Sequence, residues 1–69
     1  MTPLQKLIYG YITINKPVCD HCITQHLNKN QSQNVNNNCR DLVFKSKIKR
    51  SSNKETCNRC TKKYILNYI

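Results

Sequence analysis

Two short stretches carry the residue types best suited to chemistry: Cys19-Asp20-His21-Cys22 and Cys57-Asn58-Arg59-Cys60. Each is a C-x-x-C unit, and 34 residues separate them. Two thiolates at this spacing can grip one metal ion from either side of a tight turn. Two such units complete the four-sulfur tetrahedral shell that zinc prefers. Cys19, Cys22, Cys57 and Cys60 are therefore the expected ligands of one structural zinc. The competing assignment is two disulfides or unrelated thiols. His26 lies four residues after Cys22, and His21 lies inside the first unit, so either could also reach a metal. Two matched cysteine pairs make both histidines superfluous.

Other chemistry finds little support. The three carboxylates, Asp20, Asp41 and Glu55, are widely spaced in the sequence, which disfavours a paired acid–base arrangement. No βαβ pattern surrounds either cysteine pair, as a thioredoxin-like redox centre would require. A closed four-sulfur zinc leaves no position for substrate or water. An enzyme is not expected. Cys39 sits within an apolar stripe and reads as a small buried hydrophobe.

Size and charge narrow the class further. Sixty-nine residues make one domain at most, and a core this small is marginal without a staple. Twelve Lys and Arg against three acidic residues give a formal charge of +9. Four thiolates and one dication would lower it by only two. The excess is spread along the chain, and it draws such a domain towards polyanions, nucleic acid first and acidic membrane surfaces second. No apolar run approaches the ~20 residues of a membrane span. The segment Met1-Thr2-Pro3-Leu4 lacks the basic region of a secretory leader, so a reducing, cytoplasmic setting is expected, which favours metal over disulfides.

The elements that must position the cysteines follow from the pattern. Thr2 to Ile14 predicts a first helix, with Thr2 as cap, Pro3 at the first helical position and Gln5 closing a capping box. Leu4, Leu7, Ile8, Tyr11 and Ile12 form its expected buried stripe. Thr13 to Val18 allows a short extended piece, since Pro17 keeps Lys16 out of the helical region. A second helix is expected from Cys19 to about Leu27, then a polar turn over Asn28 to Gln31. A third helix is expected from about Ser32 to Lys45, with Val35, Cys39, Leu42 and Val43 inward. Gln33, Asn34, Asn37 and Arg40 lie opposite. Ser46 ends it. Lys47 to Arg50 alternates as a strand, Ser51 to Lys63 reads as a hairpin tip holding the second cysteine pair, and Tyr64 to Ile69 as the returning strand.

This order, mainly α with a small antiparallel β-wing, is that of a winged helix-turn-helix. Pairing the first short strand with the last would bring Cys19-Cys22 beside Cys57-Cys60, so that zinc staples the wing to the second helix. The stretches Pro17 to Cys22, Gln33 to Arg40, and Cys57 to Cys60 followed by Lys63-Tyr64-Ile65-Leu66-Asn67 resemble small microbial winged-helix proteins with a zinc-bound wing. The chain departs from them in its long polar loop before Cys57 and its abundant Asn.

The resemblance implies DNA binding through the third helix, with the two cysteine pairs as metal ligands, and the expected function is that of a small transcription regulator on double-stranded DNA. Asn and Gln suit the N6/N7 edge of adenine and Arg suits guanine, which makes Gln33, Asn34, Asn37 and Arg40 the expected base readers. Lys45, Lys47, Lys49, Arg50, Lys54, Arg59, Lys62 and Lys63 are the expected phosphate contacts. The rival expectation is a small zinc-stabilised adaptor or inhibitor, such as a phage or mobile-element accessory factor, that binds an acidic protein. A monomer and a homodimer are both compatible with the pattern.

Overall fold

The computed structural model describes residues 1–27 and 32–69, the side chains of Ser32 and Gln33 excepted. The expected turn over Asn28 to Gln31 lies outside the described residues. Three helices and short antiparallel strands follow one another as α1 (Pro3–Asn15), β1 (Val18–Cys19), α2 (Asp20–His26), α3 (Ser32–Phe44), β2 (Lys49–Arg50), β3 (Glu55–Thr56), β4 (Lys63–Tyr64) and β5 (Leu66–Tyr68).

Helix α1 begins as its sequence dictates. The Thr2 hydroxyl accepts from the Gln5 N–H at 3.1 Å, and Gln5 Oε1 accepts from the Thr2 N–H at 3.3 Å, a reciprocal capping box. The helix stops at Asn15 because Lys16, preceding Pro17, adopts an extended ψ of 143°. Its buried face is rotated from the expected one. Gln5, Ile8 and Ile12 are buried, whereas Leu7 is 60% exposed. At 100° per residue Leu7 lies roughly 130° from the middle of that face, too far to share it. Gln5 is admitted to the interior because its Nε2 donates to Asp41 Oδ2 on α3 at 2.7 Å.

Helix α3 buries Val35, Cys39 and Leu42 against α1 and α2, and leaves Val43 partly and Phe44 almost fully exposed. Its end is a Schellman motif. Ser46 takes a positive φ of 59°, the Ser46 N–H donates to the Val43 carbonyl at 2.9 Å, and the Lys47 N–H donates to the Leu42 carbonyl at 2.8 Å. The expected strand over Lys47 to Arg50 is shorter, and Ile48 alone of that alternation is buried.

The strands form a three-stranded sheet in the order β1-β5-β2 and a separate hairpin of β3 and β4. In the first, Val18 faces Asn67, Cys19 faces Leu66, and Arg50 also faces Asn67. In the second, Glu55 faces Tyr64 and Thr56 faces Lys63. The returning segment expected from Tyr64 to Ile69 is thus two strands, with Tyr64 in the hairpin and Leu66 to Tyr68 in the main sheet. The expected pairing of first and last strands is present. The core comprises Ile8, Ile12, Val18, Ile23, Val35, Cys39, Leu42, Ile48 and Leu66, with Cys19, Cys22 and Cys57 at one end. Among the described residues, no helix is long and apolar enough to cross a membrane.

Candidate metal centre

Cys19 closes β1 and Cys22 lies in the first turn of α2, so the first pair straddles a strand-to-helix junction. Cys57 and Cys60 form the turn between β3 and β4. Pairing of β1 with β5, which follows β4 directly, brings the two units together. The Cys57–Cys60 turn is pinned by its own backbone. The Cys57 N–H donates to the Lys62 carbonyl at 2.8 Å, and the Thr61 N–H donates to the Cys57 carbonyl at 3.0 Å with Thr61 at a positive φ of 62°. It is also anchored to the segment before β1. The Asn58 N–H donates to the Pro17 carbonyl at 3.0 Å, and Asn58 Nδ2 donates to the Asn15 carbonyl at 3.3 Å.

The sulfurs converge. Cys19 Sγ lies 3.6 Å from Cys22 Sγ and 3.7 Å from Cys60 Sγ, and Cys22 Sγ lies 3.7 Å from Cys57 Sγ. All four lie within 4.8 Å of one another. A tetrahedron with metal–sulfur bonds of about 2.3 Å has sulfur–sulfur edges of about 3.8 Å. The observed edges fit that figure and exceed the bond length of a disulfide, about 2.05 Å. All five cysteines are free thiols. The four could hold a metal ion such as zinc, and among the described residues no other ligand joins the group.

The electrostatics of the four thiols are uneven. Burial pushes the Cys19 thiol up to about 11, although hydrogen bonding from Cys22 opposes the rise. Burial and then the neighbouring sulfurs push Cys22 up as well. For Cys57, burial again acts upward, but backbone N–H groups of Cys60, Arg59 and Cys19 outweigh it and bring the thiol down to about 6. Two of those donors are explicit: the N–H groups of Cys19 and Arg59 each lie 3.4 Å from Cys57 Sγ. Such donors stabilise the thiolate form of Cys57, the form a metal would require.

Neither histidine joins the cluster. The His26 ring stacks on Tyr11 with centroids 4.3 Å apart, and the His21 ring leans on Tyr64 at 4.6 Å. Cys39 is fully buried within α3, and burial followed by the Asp20 carboxylate raises its thiol to about 12. It is packing, as its place in the stripe implied.

Next to the cluster lies a polar network that sequence reasoning missed. Arg50 Nη2 meets Asp20 Oδ2 at 2.9 Å, with the two side chains 16% and 15% exposed, and Arg50 Nη1 donates to Asn36 Oδ1 at 3.0 Å. From the other side Asn67 Nδ2 donates to Asp20 Oδ1 at 2.8 Å and to the Val18 carbonyl at 3.1 Å. One guanidinium thus ties α3 to the first turn of α2, between Cys19 and Cys22. Arg50, expected on phosphate, is held by these contacts. The available signal was Asp20 itself, an acidic residue inside a cysteine pair on a chain with few carboxylates.

The remaining expected contact residues fall into three places. Asn34, Asn37 and Arg40 are exposed on α3, and Gln33 belongs to the same helix. Lys45, Lys47 and Lys49 are exposed after it, with Lys45 Nζ 2.9 Å from Asp41 Oδ2. Lys54, Lys62 and Lys63 are exposed around the hairpin, and Lys54 lines a cleft with Asn36, Arg50, His21 and Tyr64. Arg59, expected with them, instead lines a groove beside Leu7, Ile14 and His26 on the α1 side.

No protein-family model, curated protein or solved structure matches the chain.

Proposed function

We propose that the chain is a zinc-stapled winged-helix module that binds double-stranded DNA, in the manner of a small transcription regulator. The observation that carries this reading is the outward face of α3. Asn34, Asn37 and Arg40 are exposed on it, on a chain of formal charge +9. These side chains match the donor and acceptor pattern of purine edges in the major groove. The order of elements supports the same reading: α2 precedes α3, and β2, the β3–β4 hairpin and β5 follow. Lys47 and Lys49 after the helix, and Lys54, Lys62 and Lys63 on the hairpin, supply the phosphate contacts. Arg50 is the strut that holds α3, and Arg59 belongs to another face. The metal, when bound, supplies the cross-link that fixes the hairpin against α2.

The test is fluorescence anisotropy of the zinc-loaded chain on duplex DNA, with a random-sequence selection to find preferred sites. Four or five phosphate contacts would cut affinity roughly a hundredfold or more between 50 and 200 mM salt. Asn37→Ala should alter sequence preference, costing about 1–3 kcal/mol on the preferred site. Lys63→Ala should weaken all sequences alike and lower the salt slope by about one. Affinity that ignores salt would refute the reading, and identical, sequence-blind losses in both variants would refute base recognition by α3.

A further inference from the structure

We infer that the outer face of α1 is a docking surface for an acidic, amphipathic segment of a partner protein. Leu7, Gly10 and Ile14 fall within roughly 60° of helical arc, turned away from the core. Leu7 is 60% and Ile14 83% exposed. With Tyr11, His26 and Arg59 they line a groove of about 520 Å³. Clusters of exposed aliphatic side chains rimmed by polar groups mark interaction sites.

Gly10 is the telling residue. It sits inside α1 without a positive φ, and a Cβ built on it would meet nothing within 4 Å. The chain's own fold therefore has no use for a glycine there, although glycine is the poorest helix former after proline. Between Leu7 and Ile14 it leaves a notch in which another backbone or side chain can approach the helix closely.

Charge selects the occupant. Lys6 and Arg59 flank the groove, and none of the three carboxylates lines it. Asp20 is paired with Arg50 and Asp41 with Lys45, while Glu55 lies in β3. A second copy of this chain would set Lys6 and Arg59 against their own kind on a body of charge +9. An acidic helix or strand with an apolar stripe complements both the groove and its rim. This surface stands independently of the DNA reading, which uses α3.

The experiment is an NMR titration of the full-length, zinc-loaded chain with a blocked 16-residue helical peptide. The peptide carries Leu at i, i+3, i+4 and i+7, a few Glu on the flanks of that stripe and Ala elsewhere, and a control peptide replaces each Glu with Lys. The acidic peptide should bind saturably, with amide shifts centred on Leu7, Gly10, Ile14 and Arg59, and the basic control should not. Ile14→Lys should weaken binding by about tenfold or more, the scale of losing one apolar anchor. The same variant should keep its zinc and its affinity for duplex DNA. Gly10→Ala should raise Tm by roughly 4–8 °C, as a helix gains a better former, yet weaken the peptide. A fall in Tm would show that Gly10 serves the fold, and overturns the inference. So would equal binding of both peptides, or shifts that map elsewhere. Self-association in sedimentation that Ile14→Lys abolishes, or binding to phosphatidylglycerol vesicles without binding to the peptide, would assign the face to another occupant and also overturn it.

Discussion

Lowering the pH should expel the metal, and the structure gives the steepness. Metal binds thiolates, so every thiol still protonated in the metal-free chain must release its proton. Burial raises Cys19 to about 11 and raises Cys22 too, so both carry protons at pH 7 and pH 8. Cys57, brought down to about 6, has already lost its proton. The sign follows directly: groups with raised values favour the neutral thiol without metal, and affinity for zinc must rise with pH. Each proton displaced contributes one decade in affinity per pH unit, so two contribute about 2.7 kcal/mol between pH 7 and pH 8. Competition against a chromophoric chelator at the two pH values, corrected for the chelator's own protonation, reads this slope. Calorimetry in buffers of different ionisation enthalpy counts the protons directly. A hundredfold or greater gain in affinity, with at least two protons released, is the expected result. A metal-free form that is unfolded would add Cys57 to the count, because an unfolded thiol titrates near 8.5. Release of fewer than one proton, or a slope below one decade, would refute the four-thiolate site.

Three further expectations concern the residues of the cluster and those around it. Cys60→Ser should lower zinc affinity by more than about a hundredfold, since even outer-shell changes cost 10–100-fold. Cys39→Ala should leave one zinc per chain by native mass spectrometry, because Cys39 packs in the core beside Asp20 and its sulfur is no part of the cluster. Arg50→Ala should destabilise the zinc-loaded chain by about 3–5 kcal/mol in urea, since it strands a largely buried Asp20 carboxylate. Adding Asp20→Leu should recover much of that loss, and equal instability of the double variant would refute the ion-pair account.

The local chemistry was legible in the order of residues alone. Thr2, Pro3 and Gln5 start α1 through contacts three residues apart, Pro17 stops it, and Ser46 closes α3. Each acts within one turn of chain, where composition and spacing carry the whole instruction. The C-x-x-C spacing likewise identified Cys19, Cys22, Cys57 and Cys60, because the geometry within each pair is local and zinc's demand for four ligands is fixed.

Features that depend on which faces meet were set by long-range packing. Leu7 belongs to the same apolar pattern as Ile8, but where α1 packs on α3 Gln5 is buried in its place, because Asp41 is there to receive the amide. Arg50 looked like one more cation in a basic run. Only the tertiary fold, in which β2 pairs with β5, sets its guanidinium on Asp20 of α2 and Asn36 of α3, where it is held as a strut. Arg59, two positions from Cys57, faces α1 because the Cys57–Cys60 turn is anchored on Asn15 and Pro17. Partners so far apart in sequence leave no periodic trace, since their distance is set by the whole fold rather than by the repeat of a helix or strand.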